Sequence, residues 1–337
     1  MRKKSITVYP NPIVKAGSGF NPYIFDFMEA MRNNGFVIAN QPHKNPLVSL
    51  LTHPAKSDYY LFHWVENVPD YKYGVLQFLL LFVLMLRIRI CGGKVVWFFH
   101  NKESHARKHR RMKRVLYRMM LRCADLIVTH SKEGVRVIEE QYPHYVAKTL
   151  FAHHPTKERF VTQSDSPEKQ ELLIWGAISP YKGVHHFVAY LQREKPELRV
   201  KIVGRCSDPI LLQQITDSLP EGSTFENRVV SFDELPEMIR ESAFVLIPYN
   251  SESVLSSGAL MDSLSFGAKV IGPDAGSFRD YANEPELKVF TFTDFQEIPE
   301  IVKNHPQPVS EEGYRAFLHR HNWDAFARLL GERLERL

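Results

Sequence analysis

Leu172-Leu173-Ile174-Trp175, then Gly176-Ala177-Ile178-Ser179-Pro180-Tyr181-Lys182-Gly183, then Val184 to Arg193: this stretch decides the fold. A short apolar run bounded by Gly and Pro predicts a buried strand, and the following segment carries helical periodicity. A strand that turns sharply into a helix is the opening of a βαβ unit, which calls for a parallel sheet covered on both faces.

Downstream the pattern repeats. Arg199–Val203, Phe244–Pro248 and Lys269–Ile271 read as strands; Ile210–Ser218, Leu235–Glu241 and Ser257–Phe266 read as helices. Asn322 to Leu337 reads as a final helix with Trp323, Phe326, Leu329 and Leu330 on one face. Upstream, Phe151 to Gln170 is polar and carries Pro155 and Pro167, as a linker would. Before it lies a second alternating series. Its strands are Ile6–Tyr9, Tyr59–Phe62, Val95–Phe99 and Leu126–Thr129; its helices are Tyr23–Asn33, Val75–Ile88, Arg107–Cys123 and Lys132–Gln141. The expected organisation is a doubly wound domain over 1–158, another over 159–310, and C-terminal helices over 311–337 that pack back toward the first. Ligands bind open α/β sheets at the carboxyl ends of the strands, so the two domains are expected to face a cleft.

Composition agrees with two globular domains. The chain has 337 residues, 44% hydrophobic and 24% charged, enough for two cores. Its three cysteines, Cys91, Cys123 and Cys206, form no CxxC pair. That argues against a disulfide framework or a zinc site and for a reducing cytoplasm. No secretory h-region follows Met1. The apolar stretch from Val75 to Ile90 is too short to span a bilayer; it reads as a buried helix or as one that also touches a membrane surface. The net charge of +5 is concentrated between Lys102 and Arg122, where Glu103 is the only acid.

Three turns in the second half suit an anion. Lys182 sits beside a helix N-terminus, where free N–H groups and the helix dipole favour phosphate. Ile202-Val203-Gly204-Arg205 ends a strand with a Gly that admits a ligand or another backbone, and Arg205 adds a charge. Phe244 to Tyr249 leads into Ser256-Ser257-Gly258, with Ser257 a good N-cap and Gly258 leaving backbone N–H groups open. Each taken alone also reads as ordinary capping or a solvated side chain.

Together these turns resemble the C-terminal domain of glycosyltransferase family 4 and related bacterial polysaccharide-biosynthesis transferases, over about residues 171–282. The Asp233-Glu234-Leu235-Pro236 run fits the same pattern. The resemblance implies a GT-B fold of two Rossmann-like domains and a donor that is a UDP- or GDP-linked sugar. It implies that Lys182 is catalytic, binding the diphosphate. Gly176, Arg205, Tyr249, Glu252, Ser256, Ser257 and Gly258 would line the donor site, with Asp262 at the position of a ribose-binding Glu. Ala177 stands where the family commonly has Arg, and Val254 where it has a first Glu; Glu252 lies nearby. In the first half, Gly17 and Gly19 resemble the family's Gly-rich first loop. His100-Asn101 resembles its pair facing acceptor and donor sugar, with His100 contacting the sugar or acting as a base.

No metal is expected. His100 and His105 lack a third ligand, and no Asp-x-Asp pair occurs among Asp262, Asp274 and Asp280. Retention of anomeric configuration follows from the resemblance alone. His105, Arg107, Lys108, Arg110 and Arg111 oppose the dipole of the helix they open, so an anionic partner explains them better than helix stability does. Membrane headgroups or a lipid-linked acceptor fit, and nucleic acid does not, since no recognised binding module is present. The expectation is a metal-independent hexosyltransferase of cell-surface polysaccharide synthesis, cytoplasmic or peripheral on the inner membrane face. A sugar-nucleotide epimerase, a phosphorylase and an inactive membrane-associated scaffold stand as alternatives on the same fold.

Overall fold

A computed structural model describes residues 3–10, 22–40, 57–102, 109–160, 169–252, 254–305 and 307–337. The chain divides into two compact units. The first holds residues 1–153 with Trp323–Leu337, and the second holds His154–Asn322. The sequence-based divisions at 158/159 and 310/311 stand against these at 153/154 and 322/323. Of the C-terminal helices, Glu311–Arg320 belongs to the second unit, and Trp323–Glu335 belongs to the first.

The first unit is a six-stranded parallel sheet. Its strands are β1 (Ser5–Tyr9), β2 (Val37–Ile38), β3 (Tyr59–His63), β4 (Lys94–Phe98), β5 (Leu126–Thr129) and β6 (Thr149–Phe151), in the order β2-β1-β3-β4-β5-β6. Its central strands are apolar on both faces, as a sheet covered by helices on each side requires. Ile6, Leu61, Val96 and Val128 are wholly buried and pack against Phe27 and Met31 of the helix Tyr23–Asn33. The helix Trp323–Glu335 closes the same core with Phe326, Ala327, Leu330 and Leu334.

Of the two readings of the apolar stretch, burial all round is not what the helix Gly74–Ile90 shows. One side, with Leu81, Leu84, Met85 and Ile88, is buried, while Leu86 and Ile90 on the other are 63% and 77% exposed. The basic helix is described as Arg110–Cys123.

The second unit has strands β7 (Gln170–Trp175), β8 (Val200–Val203), β9 (Thr224–Glu226), β10 (Ser242–Leu246), β11 (Val270–Pro273) and β12 (Val289–Phe292). They run parallel in the order β12-β11-β10-β7-β8-β9. The chain winds outward from β7 to β9, returns, and winds the other way from β10. Strand order therefore reverses between β7 and β10, the place where an open α/β sheet leaves a crevice for a ligand. Both turns carrying Lys182 and Ser257 leave the sheet there.

Candidate functional site

The exits from β7 and β10 are clasped together by backbone contacts. Gly183 has φ +69°, and a Cβ on it would lie 1.9 Å from the Pro248 carbonyl oxygen. Only glycine allows that approach. The Asn250 N–H donates to the Tyr181 carbonyl at 3.1 Å. Gly204 serves packing: its Cβ would sit 1.9 Å from the Gly176 carbonyl oxygen, and the Ile178 N–H donates to the Arg205 carbonyl at 2.9 Å. Of the two readings of Gly204, close approach of another backbone is the one observed. The Arg205 side chain is exposed.

Within this clasp lies a polar cluster. The Lys182 ammonium donates to the Tyr249 hydroxyl and stands 3.8 Å from the Tyr249 ring centre and 5.0 Å from that of Tyr181. Burial lowers the Lys182 pKa from the usual lysine range, while Tyr181 acts to raise it. Tyr249 is pushed up to about 12 by burial; the Ser257 hydroxyl acts in the opposite direction, and Asp262 adds to the rise. The buried Ser257 hydroxyl also accepts from the Leu260 N–H at 3.1 Å, capping the helix Gly258–Ser265. A Cβ on Gly258 would meet nothing within 4 Å, so there is open space beside the first residue of that helix. Lys182, Tyr249 and Ser257 thus tie the starts of the helices Val184–Glu194 and Gly258–Ser265 into one positively polarised surface.

Other expected donor residues are placed differently. Asp262 faces the Arg159 guanidinium at 3.4 Å. Arg159 in turn stacks over Phe232, 4.7 Å from its ring centre. Glu252 is exposed and its N–H donates to Asn250 Oδ1 at 2.9 Å. Ser256 is half-buried, and Gly17 and Gly19 lie outside the described residues. Sequence reasoning missed Arg159 and the buried Ser277. The Ser277 N–H donates to the Leu255 carbonyl at 2.8 Å, while its hydroxyl has no hydrogen-bond partner.

The first unit gathers three histidines at the carboxyl ends of adjacent strands. His63 ends β3, His100 follows β4 and His130 follows β5, all buried. His63 Nδ1 and His100 Nε2 are 3.0 Å apart. The Tyr23 hydroxyl lies 2.9 Å from His130 Nε2, and His130 Nδ1 lies 2.9 Å from the Ala152 carbonyl. A carbonyl only accepts, so His130 carries its proton on Nδ1 and takes a hydrogen bond from Tyr23. Burial, aided by His130, holds the His63 pKa well below its usual value, so its ring is neutral. His63 Nε2 is buried without a partner. An orphaned N–H is rarer than an orphaned acceptor. The His63 proton therefore belongs on Nδ1, donated to His100 Nε2.

Asn101 Nδ2 donates to Glu66 Oε1 at 3.1 Å, and burial raises the Glu66 pKa. Arg110 and Arg111 are exposed; His105, Arg107 and Lys108 lie outside the described residues. Among the described residues no group of three or more His, Cys, Asp or Glu is placed to hold a metal ion.

Two parallel α/β sheets, one with its switch point built as above, define the GT-B glycosyltransferase fold, and the chain has it. Anabaena HepE, solved in complex with UDP and glucose, superposes with a TM-score of 0.70 over 100% of both chains, at 14% identity. AviGT4, a glycosyltransferase involved in avilamycin A biosynthesis, matches at 13% identity over 99% of this chain and 98% of its own, with a TM-score of 0.59. TarM of S. aureus matches at 10% identity over 86% of this chain and 59% of its own, with a TM-score of 0.61. No family model matches the chain, and no curated protein does.

Proposed function

We propose that the chain is a glycosyltransferase related to family 4, which takes its sugar from a nucleoside diphosphate bound at the switch point of the second unit. The observation that carries this reading is the Lys182–Tyr249–Ser257 cluster, which joins an ammonium to two helix starts between β7 and β10. When the sugar leaves, negative charge grows on the diphosphate. A fixed cation and oriented N–H groups stabilise it without reorganising. These groups supply the charge a metal would otherwise supply, so the transfer is metal-independent in this proposal. HepE has been solved with UDP-glucose, which favours UDP over GDP as the donor base.

The acceptor, a glycan or lipid-linked sugar of cell-surface polysaccharide synthesis, is assigned to the first unit. There His100 would contact the transferring sugar or act as a base, as the family resemblance implies, with Asn101 next to it in the chain and hydrogen-bonded to Glu66. Retention of configuration follows from the family resemblance.

The test is calorimetric titration of the protein and a Lys182→Met variant with UDP, GDP, UDP-glucose, GDP-mannose and inorganic phosphate. One nucleoside diphosphate should bind, and more weakly to the variant by about tenfold or more. Binding of none of them by folded protein overturns the reading. Binding of phosphate alone, with turnover by phosphorolysis, replaces it with a phosphorylase.

A further inference from the structure

We propose that the outer face of the helices Gly74–Ile90 and Arg110–Cys123 docks on an anionic lipid bilayer. The proposal is independent of the donor-site reading. Helix Gly74–Ile90 buries Gly74, Gln77, Leu81, Leu84, Met85 and Ile88. On the far side Val75, Leu76, Leu79, Val83, Leu86 and Ile90 are each 55% exposed or more, and Phe82 is 37% exposed. At 3.6 residues per turn these seven fall in an arc of roughly 120° opposite the buried side. A helix apolar all round is ordinarily covered all round; among the described residues nothing covers the outer side of this one. Soluble proteins rarely leave so continuous an apolar strip in water.

The charge beside the strip identifies what covers it. Neither helix contains an Asp or Glu. Arg110, Arg114, Arg118 and Arg122 recur every fourth residue along the second helix, and all are exposed. Residues four apart share a helix face, so the four form a row. The two helices touch. They link β3 to β4 and β4 to β5 in the same direction across the sheet, so right-handed crossovers place both on one side of it.

Lys72, Tyr71 and Tyr73 extend the surface at the start of the first helix; all three are exposed, and aromatic and basic side chains suit the headgroup level. No described helix is long and apolar enough to cross a membrane, so the helix lies in the interface with its apolar side inserted. A second copy fits less well. A symmetric contact through this face would bring one arginine row toward another, and neither helix carries an acid of its own to offset it.

The experiment is flotation of the full chain with vesicles of phosphatidylcholine alone or with 30 mol% phosphatidylglycerol, a composition set by the experimenter at about one charge in three lipids. Two variants accompany it, one with Leu79→Ser, Val83→Ser and Leu86→Ser, the other with Arg114→Glu, Arg118→Glu and Arg122→Glu. Circular dichroism and melting show that they fold. The wild type should float with the anionic vesicles. Partitioning should fall about tenfold or more in the apolar variant and about a hundredfold in the charge variant. Unbound wild type, or binding that neither variant weakens, overturns the proposal. So does a wild-type dimer that the apolar variant dissociates while vesicles are ignored; that result gives the strip to a second copy.

Discussion

Lowering the pH from 7 to 5 should loosen the first unit through His63, by an amount that follows from its burial. His63 is 0% exposed and its folded pKa lies well below 6.5. In the unfolded chain it titrates at about 6.5. Above that pH neither state binds the proton and its contribution is intact. As pH falls below it, the unfolded chain takes up a proton that the folded ring refuses, so stability falls. Integrating this difference from pH 7 to 5 gives a loss of about 2 kcal/mol from His63 alone.

The perturbation that isolates it is His63→Gln. The glutamine amide donates to His100 Nε2 but does not titrate, so its packing cost is the same at both pH values and cancels. The assay is urea unfolding at pH 7 and pH 5, with the first unit followed by pulsed deuterium labelling of peptides spanning Tyr59–His63 and Lys94–Phe98. The wild type should lose about 2 kcal/mol more than the variant between the two pH values. Equal losses would refute the reasoning, and so would a His63 ring whose nitrogen shifts titrate above pH 6. The same spectra report the tautomers of His63 and His100.

Three further outcomes follow from packing. Gly183→Ala places a side chain at φ +69° against the Pro248 carbonyl; it should cost about 2–5 kcal/mol in calorimetric melting, and an unchanged melting temperature contradicts the clasp. Tyr249→Phe removes the hydroxyl that joins Lys182 to Ser257. Diphosphate binding should weaken about tenfold, measured by titration calorimetry, with the fold retained by circular dichroism. Phe326→Ala empties a position packed on Phe27 and His130, 6.2 and 5.7 Å away between ring centres. The first unit should lose about 3–5 kcal/mol, read from denaturant unfolding, while the second unit's transition stays in place.

Central strands were legible because burial on both faces writes an unbroken apolar run, as in Leu172–Trp175 and Leu126–Thr129. The strands missed are β2, β6, β9 and β12. β2 and β6 edge the first sheet, and β9 and β12 edge the second. They are two to four residues long, too short to stand out as an apolar run. The helices Gly276–Ala282 and Ile298–Asn304 were also missed. They are seven residues each, too short to show a repeat.

At the site, Lys182 and Ser257 stood out because turns and caps have local signatures. Tyr249 was singled out, but not as the link between them. Arg159 was lost in a stretch read as linker, since its partner Asp262 is 103 positions away. His63 was overlooked for the same reason: its bond to His100 spans 37 residues, and nothing in either neighbourhood encodes it.

The first unit is assembled from two pieces of chain, residues 1–153 and Trp323–Leu337. During synthesis its sheet emerges early, while Phe326, Leu330 and Leu334 are the last of its core to appear. At ribosomal speeds of roughly 5–20 residues per second, the intervening stretch takes on the order of ten to forty seconds to make. The second unit is contiguous and can close in that interval. The half that leaves the ribosome first is therefore the half that matures last, and it waits with Phe27 and its neighbours uncovered. A chaperone that shields the nascent helix Tyr23–Asn33 would have its greatest effect on the yield of this protein in that window.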